Sequence, residues 1–248
     1  MLVVENVEKS YRKMGFLSAK RHHIIKDISI TCGYGECLGI IGESGSGKST
    51  LGRFLAGIEK PDRGTILLEG HSVAERAVRA GRISAVFQDY TSSMNPFFTV
   101  EQAIMEPLSI GRKAVSENHN KLNHLLHQVG LPSSYRTKYP HELSGGEVQR
   151  VCIARAISTE PLYIVLDEAI SSLDVSVQTQ VLDLLQALKE MYRMSFIFIT
   201  HDLQAAAYLC DRVMIMRNGE REEMVPIEHL PHVQSAYAST LLQKQITL

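Results

Sequence analysis

The sequence predicts an α/β fold with a parallel sheet, on three observations. A glycine-rich stretch at residues 42–49 stands between an apolar run and a segment with helical spacing. Short β-branched and aromatic runs at 163–166 and 196–199 are typical of strands that are buried on both faces. A segment with helical periodicity at 175–192 separates these two runs. Strands and helices that alternate in this way indicate a core built on parallel strands.

The predicted elements follow one another along the chain. Residues 2–70 are rich in strand patterns broken by glycines, and residues 1–5 are expected to begin an edge strand. The basic, low-apolar segment 12–23 is expected to be an exposed loop, in which the adjacent His22 and His23 are weak evidence for a metal site. Further predicted elements are strands at 37–41 and 83–87 and helical segments at 50–57, 100–108, 121–129 and 148–158.

Composition excludes several classes of function. A chain of 248 residues allows one large domain or two small ones, and its 44% apolar content suffices for a sizeable core. The net charge of −1 gives no basic field to attract nucleic acid or anionic lipid. The apolar runs are too short to span a bilayer, and no secretory signal is recognisable. The four cysteines lack metal-ligand spacing, so we expect buried free thiols in a reducing cytoplasm.

The glycine-rich stretch carries the strongest functional signal. Its residues are Gly42, Glu43, Ser44, Gly45, Ser46, Gly47, Lys48 and Ser49, followed by Thr50. Strand, glycine-rich loop and helix in this order form the context of a phosphate-binding P-loop. The glycines let backbone N–H groups point at a polyphosphate, and the helix presents its positive end to the same phosphates. Lys48 is predicted to bind the β- and γ-phosphates of a nucleotide, and the Ser49 hydroxyl to ligate Mg²⁺.

Two further motifs follow downstream. Residues 163–168 form an apolar strand that ends in two carboxylates. Because ligands bind at the carboxyl ends of parallel strands, Asp167 is predicted to hold Mg²⁺ and Glu168 to deprotonate an attacking water. Ser144 and Glu147 have the spacing of a helix capping box. Capping does not account for the pair Gly145 and Gly146, which close approach to a phosphate would explain.

These motifs in this order closely resemble the ATPase subunit of ABC transporters. The resemblance covers residues 2–220 and rests on the P-loop, Gln88, the Leu-Ser-Gly-Gly-Glu stretch that begins at Leu143, Asp167 with Glu168, residues 171–174 and His201. It implies the ABC ATPase fold: a P-loop NTPase core with a parallel sheet, an N-terminal antiparallel β-subdomain and a helical signature subdomain. One domain is expected over 1–248, with its core at about 2–90 and 160–225, the helical subdomain at about 91–159 and a tail at 226–248.

The resemblance also assigns roles residue by residue. Tyr11 resembles the aromatic residue that stacks on adenine, and Gln88 the glutamine that senses Mg²⁺ and faces the membrane partner. Ser144, Gly145 and Gly146 resemble the signature residues that bind the γ-phosphate held by an opposite subunit. Asp174 resembles the aspartate that joins the two sites, and His201 the histidine that contacts the γ-phosphate. Glu147 departs from the family, which most often has glutamine at this position.

A closer similarity points to nickel and peptide importers. It rests on residues 86–89 and 92–96, on 42–45 and 174–178, on the basic insertion after Tyr11, and on the lack of the longer C-terminal part common in peptide importers. The resemblance implies an ATPase at the cytoplasmic face of the membrane that powers import of nickel or a metal chelate, with ATP and Mg²⁺ as cofactors. The implied partners are a second ATPase subunit, identical or homologous, arranged head to tail, two membrane-spanning permease subunits and an extracellular solute-binding protein. Import of oligopeptides or dipeptides is the alternative, and a soluble ABC ATPase without a role in transport is a third.

Overall fold

A computed structural model describes residues 1–12, 21–88, 93–109, 115–171 and 173–246. Most of the predicted loop at 12–23, one residue of each of the segments 86–89 and 92–96, and Ser172 therefore lie outside the described residues. The strands are β1 (Leu2–Arg12), β2 (Arg21–Cys32), β3 (Cys37–Ile41), β4 (Arg63–Leu68), β5 (His71–Ser72), β6 (Ile83–Phe87), β7 (Tyr163–Asp167), β8 (Ser195–Ile199), β9 (Arg212–Arg217) and β10 (Glu220–Pro226). The helices are α1 (Lys48–Leu55), α2 (Arg76–Arg79), α3 (Val100–Ser109), α4 (Val115–Gln128), α5 (Gly145–Ile157), α6 (Val175–Tyr192), α7 (Leu203–Leu209) and α8 (Ala236–Ile246). Short 3₁₀ helices cover Ser133–Thr137, Pro140–Glu142 and Ile227–His232.

The chain divides into two units. The first comprises Met1–Ala80 with Ser195–Leu248, and the second is Gly81–Met194. The first unit contains an antiparallel sheet with the strand order β2-β1-β4-β5, as the predicted N-terminal subdomain requires. The predicted helical segment at 91–159 lies within the second unit, and its boundaries as a subdomain stay a prediction.

The expectation that the chain begins on an edge strand was wrong. Strand β1 pairs with β2 on one side and with β4 on the other, so it is an interior strand of its sheet. Leu2, Val4 and Val7 are buried while Glu5 and Asn6 are exposed. Burial of one face gives the same alternation whether or not a strand has a neighbour on each side, so the sequence pattern cannot tell the two positions apart.

Parallel strands of the first unit form its second sheet. In the order β10-β9-β3-β8, strand β3 is parallel to both β8 and β9, and β10 is antiparallel to β9. Every residue of β3 and of β8 is buried, which is why both read as continuous apolar runs in the sequence. Full burial of one leucine or isoleucine side chain stabilises a fold by about 1.5–3 kcal/mol, so this sheet anchors the loops at its ends.

The second unit pairs β6 with β7 in parallel and surrounds them with helices. The register places Phe87 opposite Asp167, so both strands end at the same level. Helix α5 packs against α3 and α4 through a largely buried face. Its first helical residue is Gly145, three positions before the predicted start, because Ser144 is already its N-cap. Helix α6 begins and ends where its periodicity predicted.

All four cysteines are buried free thiols, as predicted. Cys37 and Cys210 are in contact, with 3.6 Å between their Sγ atoms. Across the described residues, none of the helices combines the length and the apolar character needed to cross a membrane.

Candidate functional site

The loop between β3 and α1 has a backbone that only glycine allows at two points. Gly42 and Gly47 have φ angles of 152° and 102°, in a region that side chains rarely adopt. A Cβ at Gly42 would lie 2.3 Å from the Met216 carbonyl oxygen, and one at Gly47 would lie 2.7 Å from that of Ile24. The loop is therefore pressed against its neighbouring strands and held in one shape.

Helix α1 begins without a side-chain cap. Its N-cap is Gly47, which has no side-chain oxygen to accept hydrogen bonds from the first-turn N–H groups. The Lys48 side chain is buried, and its ammonium donates to the carbonyl oxygens of Gly42 and Glu43 over 2.7 and 2.9 Å. Ser46 Oγ is also buried and has no hydrogen-bond partner among the described residues. An uncapped helix N-terminus, a buried ammonium and an orphaned hydroxyl fit a polyphosphate anion.

The remaining loop residues line the same turn at different depths. Glu43, Ser44 and Gly45 are exposed, and a Cβ at Gly45 would meet no atom within 4 Å. Ser49 is half-buried, in the first turn of α1, and Thr50 is buried behind it. The loop is therefore open to solvent at residues 43–45, whereas Gly42 and Gly47 pack against the backbone of neighbouring strands.

His201 lies at the same end of the sheet as the glycine-rich loop. It follows β8, and the preceding Thr200 donates its N–H to the carbonyl of Ile40 in β3. Because β3 and β8 are parallel neighbours, their carboxyl ends carry Gly42 and the exposed His201 side by side. The first unit therefore brings together the predicted phosphate loop and the predicted histidine.

Tyr11 belongs to the first unit as well and is held by its hydroxyl group. Its ring is about one-third exposed, and the hydroxyl donates to Glu59 Oε1 over 2.6 Å. Sequence patterns did not point to Glu59, because the two residues are 48 positions apart and no local motif links them. The ring thus has a fixed anchor as well as an accessible surface.

The second unit brings together Gln88, Asp167 and Glu168. Gln88 directly follows β6 and is exposed, while Asp167 is the last residue of β7 and is buried. Since Phe87 pairs with Asp167, the three predicted functional residues stand at adjacent strand ends, as the ligand-binding edge of a parallel sheet requires.

Glu168 has a left-handed backbone, with a φ of 53°. This conformation is uncommon for a residue with a side chain and costs on the order of 1 kcal/mol or more. The Glu168 carbonyl accepts hydrogen bonds from the N–H and the hydroxyl of Ser171, over 3.2 and 3.0 Å. The bonds from Ser171 therefore hold the backbone of this turn, and the Glu168 side chain is half-buried.

The N-terminus of α5 is capped by side chains of the same chain. The Ser144 N–H and hydroxyl donate to Glu147 Oε2 over 2.7 and 2.8 Å, and the Glu147 N–H reaches back to Ser144 Oγ at 3.4 Å. Tyr135 donates its hydroxyl to Glu147 Oε1 over 2.5 Å. The hydrogen bonds from Tyr135 and then from Ser144 hold the pKa of Glu147 below its usual range, so the carboxylate is charged at neutral pH.

Packing accounts for Gly146, one of the two glycines that helix capping does not explain. A Cβ at Gly146 would lie 2.7 Å from Val177 Cγ1 in the first turn of α6. Asp174 caps α6 by accepting the Val177 N–H over 3.0 Å and the Ser176 hydroxyl over 2.8 Å. These two bonds, the Ser176 hydroxyl first, also lower the pKa of Asp174. The starts of α5 and α6 are therefore adjacent, and both N-cap side chains, Ser144 and Asp174, are exposed.

Comparisons with known proteins define the class to which this fold and these loops belong. The model of the ABC transporter family matches residues 25–171. The chain belongs to the ABC transporter family, and it is an ATPase whose hydrolysis of ATP is coupled to transport. The resemblance drawn from the sequence motifs and the predicted fold class are both confirmed.

The similar relatives include ATP-binding proteins of import systems. The metal-staphylopine import system ATP-binding protein CntF of Staphylococcus aureus is 48% identical over the whole of both chains. The nickel import ATP-binding protein NikE of Rhodospirillum rubrum is 38% identical, over 99% of this chain and 91% of its own. The oligopeptide transport ATP-binding protein AppF of Bacillus subtilis is 39% identical, over 86% of this chain and 65% of its own.

A solved structure supports the fold. The dimeric ATP-binding cassette MJ0796 in a post-hydrolysis state, bound to ADP and Pi, superposes with a TM-score of 0.82. It is 28% identical and covers 92% of this chain and 99% of its own.

Proposed function

We propose that this chain is the ATP-binding and hydrolysing subunit of an importer for nickel or for a metal–metallophore complex. The observation that carries the choice of cargo is the 48% identity to a metal-staphylopine import ATPase over the full length of both proteins. Identity to the oligopeptide relative is lower and extends over less of either chain.

Each unit contributes its own part of the proposed ATPase chemistry. In the first unit, the loop 42–50 binds the triphosphate through its N–H groups and Lys48, Tyr11 stacks on adenine, and His201 contacts the γ-phosphate. In the second unit, Glu168 accepts a proton from the attacking water. Ser49, Gln88 and Asp167 are the proposed ligands of Mg²⁺, which neutralises phosphate charge when it is bound with ATP. The N-terminus of α1, which no side chain caps, and the left-handed backbone of Glu168 support these assignments.

The proposed assembly is a head-to-tail pair of ATPase subunits on two permease subunits at the cytoplasmic face of the membrane. Ser144, Gly145 and Gly146 then serve the nucleotide of the opposite subunit, and Asp174 lies at the junction of the two sites. The exposure of Ser144 and Asp174 and the dimeric state of MJ0796 support this arrangement. An extracellular solute-binding protein would deliver the cargo.

Substitution of the proposed base separates binding from turnover. Glu168→Gln is expected to lower the ATPase rate by about 10²- to 10⁴-fold, the usual contribution of a general base, while the affinity for ATP stays within about twofold. The variant is also expected to accumulate as an ATP-bound dimer in size-exclusion chromatography. Glu190→Gln, on the exposed side of α6, is the matched control. A normal hydrolysis rate in Glu168→Gln would refute the assignment of the base.

Cargo is tested in cells that lack the gene. We expect lower cell-associated nickel, cobalt or zinc under metal limitation, restored by the wild-type gene and not by the Glu168→Gln gene. Uptake of labelled oligopeptides should remain unchanged. Normal metal content together with lost peptide uptake would favour the peptide alternative, and normal uptake of both would refute both cargoes.

A further inference from the structure

We infer that Glu59 is a positioning residue for nucleotide recognition, because its carboxylate fixes the Tyr11 ring relative to helix α1. The inference rests on the proposed function in one respect, the stacking of adenine on Tyr11. It assigns a role in nucleotide recognition to Glu59, a charged residue that belongs to none of the sequence motifs. All of its parts belong to the first unit.

Three segments meet at the Glu59 carboxylate. From β1, the Tyr11 hydroxyl donates to Oε1 over 2.6 Å, and the Lys9 ammonium lies 3.2 Å from the same oxygen. From α1, Arg53 Nε donates to Oε2 over 3.2 Å. Glu59 itself belongs to the connection between α1 and β4. One carboxylate thereby joins the strand that carries Tyr11 to the helix that follows the P-loop.

The connection continues to the P-loop itself. Arg53 also donates through Nη2 to Thr50 Oγ1 over 3.1 Å, and Thr50 is in the first turn of α1. A continuous series of hydrogen bonds therefore runs from the Tyr11 hydroxyl through Glu59 and Arg53 to Thr50. This series of bonds fixes the distance between the Tyr11 ring, on which the base would stack, and the P-loop, which would bind the phosphates.

The environment makes these bonds stronger than an ordinary surface contact. The side chains of Glu59 and Lys9 are only 25% and 14% exposed. Burial alone would raise the pKa of Glu59, but the hydrogen bonds from Tyr11, Lys9 and Arg53 outweigh it and the pKa falls below its usual value. The carboxylate is therefore ionised at neutral pH and accepts charge-assisted bonds, which are about twice as strong as neutral ones.

Lys9 determines which face of the ring is available. Its ammonium lies over the Tyr11 ring, 5.5 Å from the centroid, and is held there by Glu59, Asp62 and the Lys60 carbonyl. A planar base must therefore stack on the opposite face of this one-third exposed ring. With the hydroxyl anchored, stacking costs little further loss of side-chain freedom, which is how preorganisation increases affinity.

Binding of two probes by the purified full-length chain tests the inference. The probes are AMP-PNP, a non-hydrolysable ATP analogue, and inorganic tripolyphosphate, which has no base, and both are measured by calorimetry with Mg²⁺. Glu59→Gln and Tyr11→Phe are each expected to weaken AMP-PNP about 3- to 10-fold, because a ring that is no longer anchored must be immobilised when the nucleotide binds. The affinity for tripolyphosphate should change less than twofold, because this probe does not touch the ring.

Glu8→Gln is the matched control, since Glu8 belongs to the same strand β1 and pairs with Arg63 on the surface. It removes the same charge and should leave both affinities within twofold. The double variant Tyr11→Phe with Glu59→Gln should lose no more AMP-PNP affinity than the stronger single variant, because both act on the same bond between Tyr11 and Glu59.

The outcomes separate this inference from the proposed function. If Tyr11→Ala weakens AMP-PNP while Tyr11→Phe and Glu59→Gln do not, the base platform stands and the role of Glu59 is refuted. If Tyr11→Ala leaves AMP-PNP binding unchanged, the stacking assignment itself fails, and the role of Glu59 fails with it. An equal loss of tripolyphosphate affinity in Glu59→Gln would show a general effect on the fold and would also overturn the inference.

Discussion

Helices α1 and α5 both begin at glycine-containing motifs, yet their N-termini are capped in opposite ways. The N-cap of α1 is Gly47, which has no side chain, and the nearby Ser46 hydroxyl is buried without a partner among the described residues. The N-cap of α5 is Ser144, whose N–H and hydroxyl both donate to Glu147. One helix end is prepared for an external anion, whereas the other already holds an anion of its own.

This difference teaches that the N-termini of α1 and α5 are not equivalent as binding sites for phosphate. A phosphate at α1 meets N–H groups that no capping side chain occupies, together with a buried ammonium. A phosphate at α5 must share the positive end of the helix with the Glu147 carboxylate. We therefore expect α1 to determine the affinity for nucleotide and α5 to contribute only when a second subunit presents its nucleotide.

The largest expected effect is on the α1 loop. Lys48→Ala should weaken binding of ATP by isolated chain about 100-fold, because the phosphates lose a charged donor that is worth about 1.5–3 kcal/mol. Equilibrium dialysis measures this loss. Lys26→Ala, which removes a half-buried lysine paired with Glu220, should bind ATP normally. Retention of affinity by Lys48→Ala would remove the main difference between the two loops.

The α5 loop is expected to show the opposite profile. Ser144→Arg should leave ATP binding by isolated chain within about twofold, while steady-state hydrolysis falls about 30- to 100-fold, because a bulky cation replaces a small donor needed in the closed dimer. Pairing this variant with Lys48→Ala tests complementation, since one composite site then keeps both intact loops. Weak binding of ATP by the isolated Ser144→Arg chain would contradict the division of labour.

A smaller effect should sharpen the comparison. Glu147→Gln removes one negative charge from the start of α5, and such a charge near a helix N-terminus is worth about 0.3–1 kcal/mol. In the Glu168→Gln background, the ATP concentration that gives half-maximal dimer should fall about two- to fivefold. Glu142→Gln is the control, because Glu142 also places a carboxylate in a capping arrangement, on the Pro140–Glu142 turn. A lower tendency to dimerise in Glu147→Gln would show that the carboxylate assists nucleotide binding.

The smallest effect concerns stability and pH. Because the folded-state pKa of Glu147 is lowered, its carboxylate stabilises the fold above the unfolded pKa near 4.5, and this stabilisation is lost as pH falls through the folded value. The difference in free energy of unfolding between wild type and Glu147→Gln should be constant from pH 6 to 8 and should shrink below pH 4.5. Urea titrations at each pH measure it. A difference that grows on acidification would contradict the lowered pKa.

The sequence predicted those parts of the fold and site that depend on local patterns. Strand β3 and helix α6 have the predicted bounds, because an apolar run and an Asp174 cap mark them directly. Gln88 and Asp167 lie at adjacent strand ends because β6 and β7 are parallel neighbours. The carryover of functional roles stays a prediction for every site residue.

Contacts between distant segments were beyond reach of the sequence. The bonds from Tyr135 to Glu147 and from Tyr11 to Glu59 span 12 and 48 positions, and they depend on how a 3₁₀ turn and the connection between α1 and β4 fold back. The interior position of β1 depends likewise on β4, whose pairing no local pattern in β1 specifies. Periodicity identifies the buried face of an element, whereas tertiary structure selects its neighbours.

The buried thiols have a practical consequence for labelling. Reaction with maleimides needs an accessible thiolate, yet burial raises the pKa of Cys152 to about 11 and also raises that of Cys32, while Cys37 and Cys210 are shielded in mutual contact. A single cysteine placed at an exposed position such as Lys60 or Ala187 would therefore react selectively. Spectroscopic probes can be attached to either unit without first removing the native cysteines.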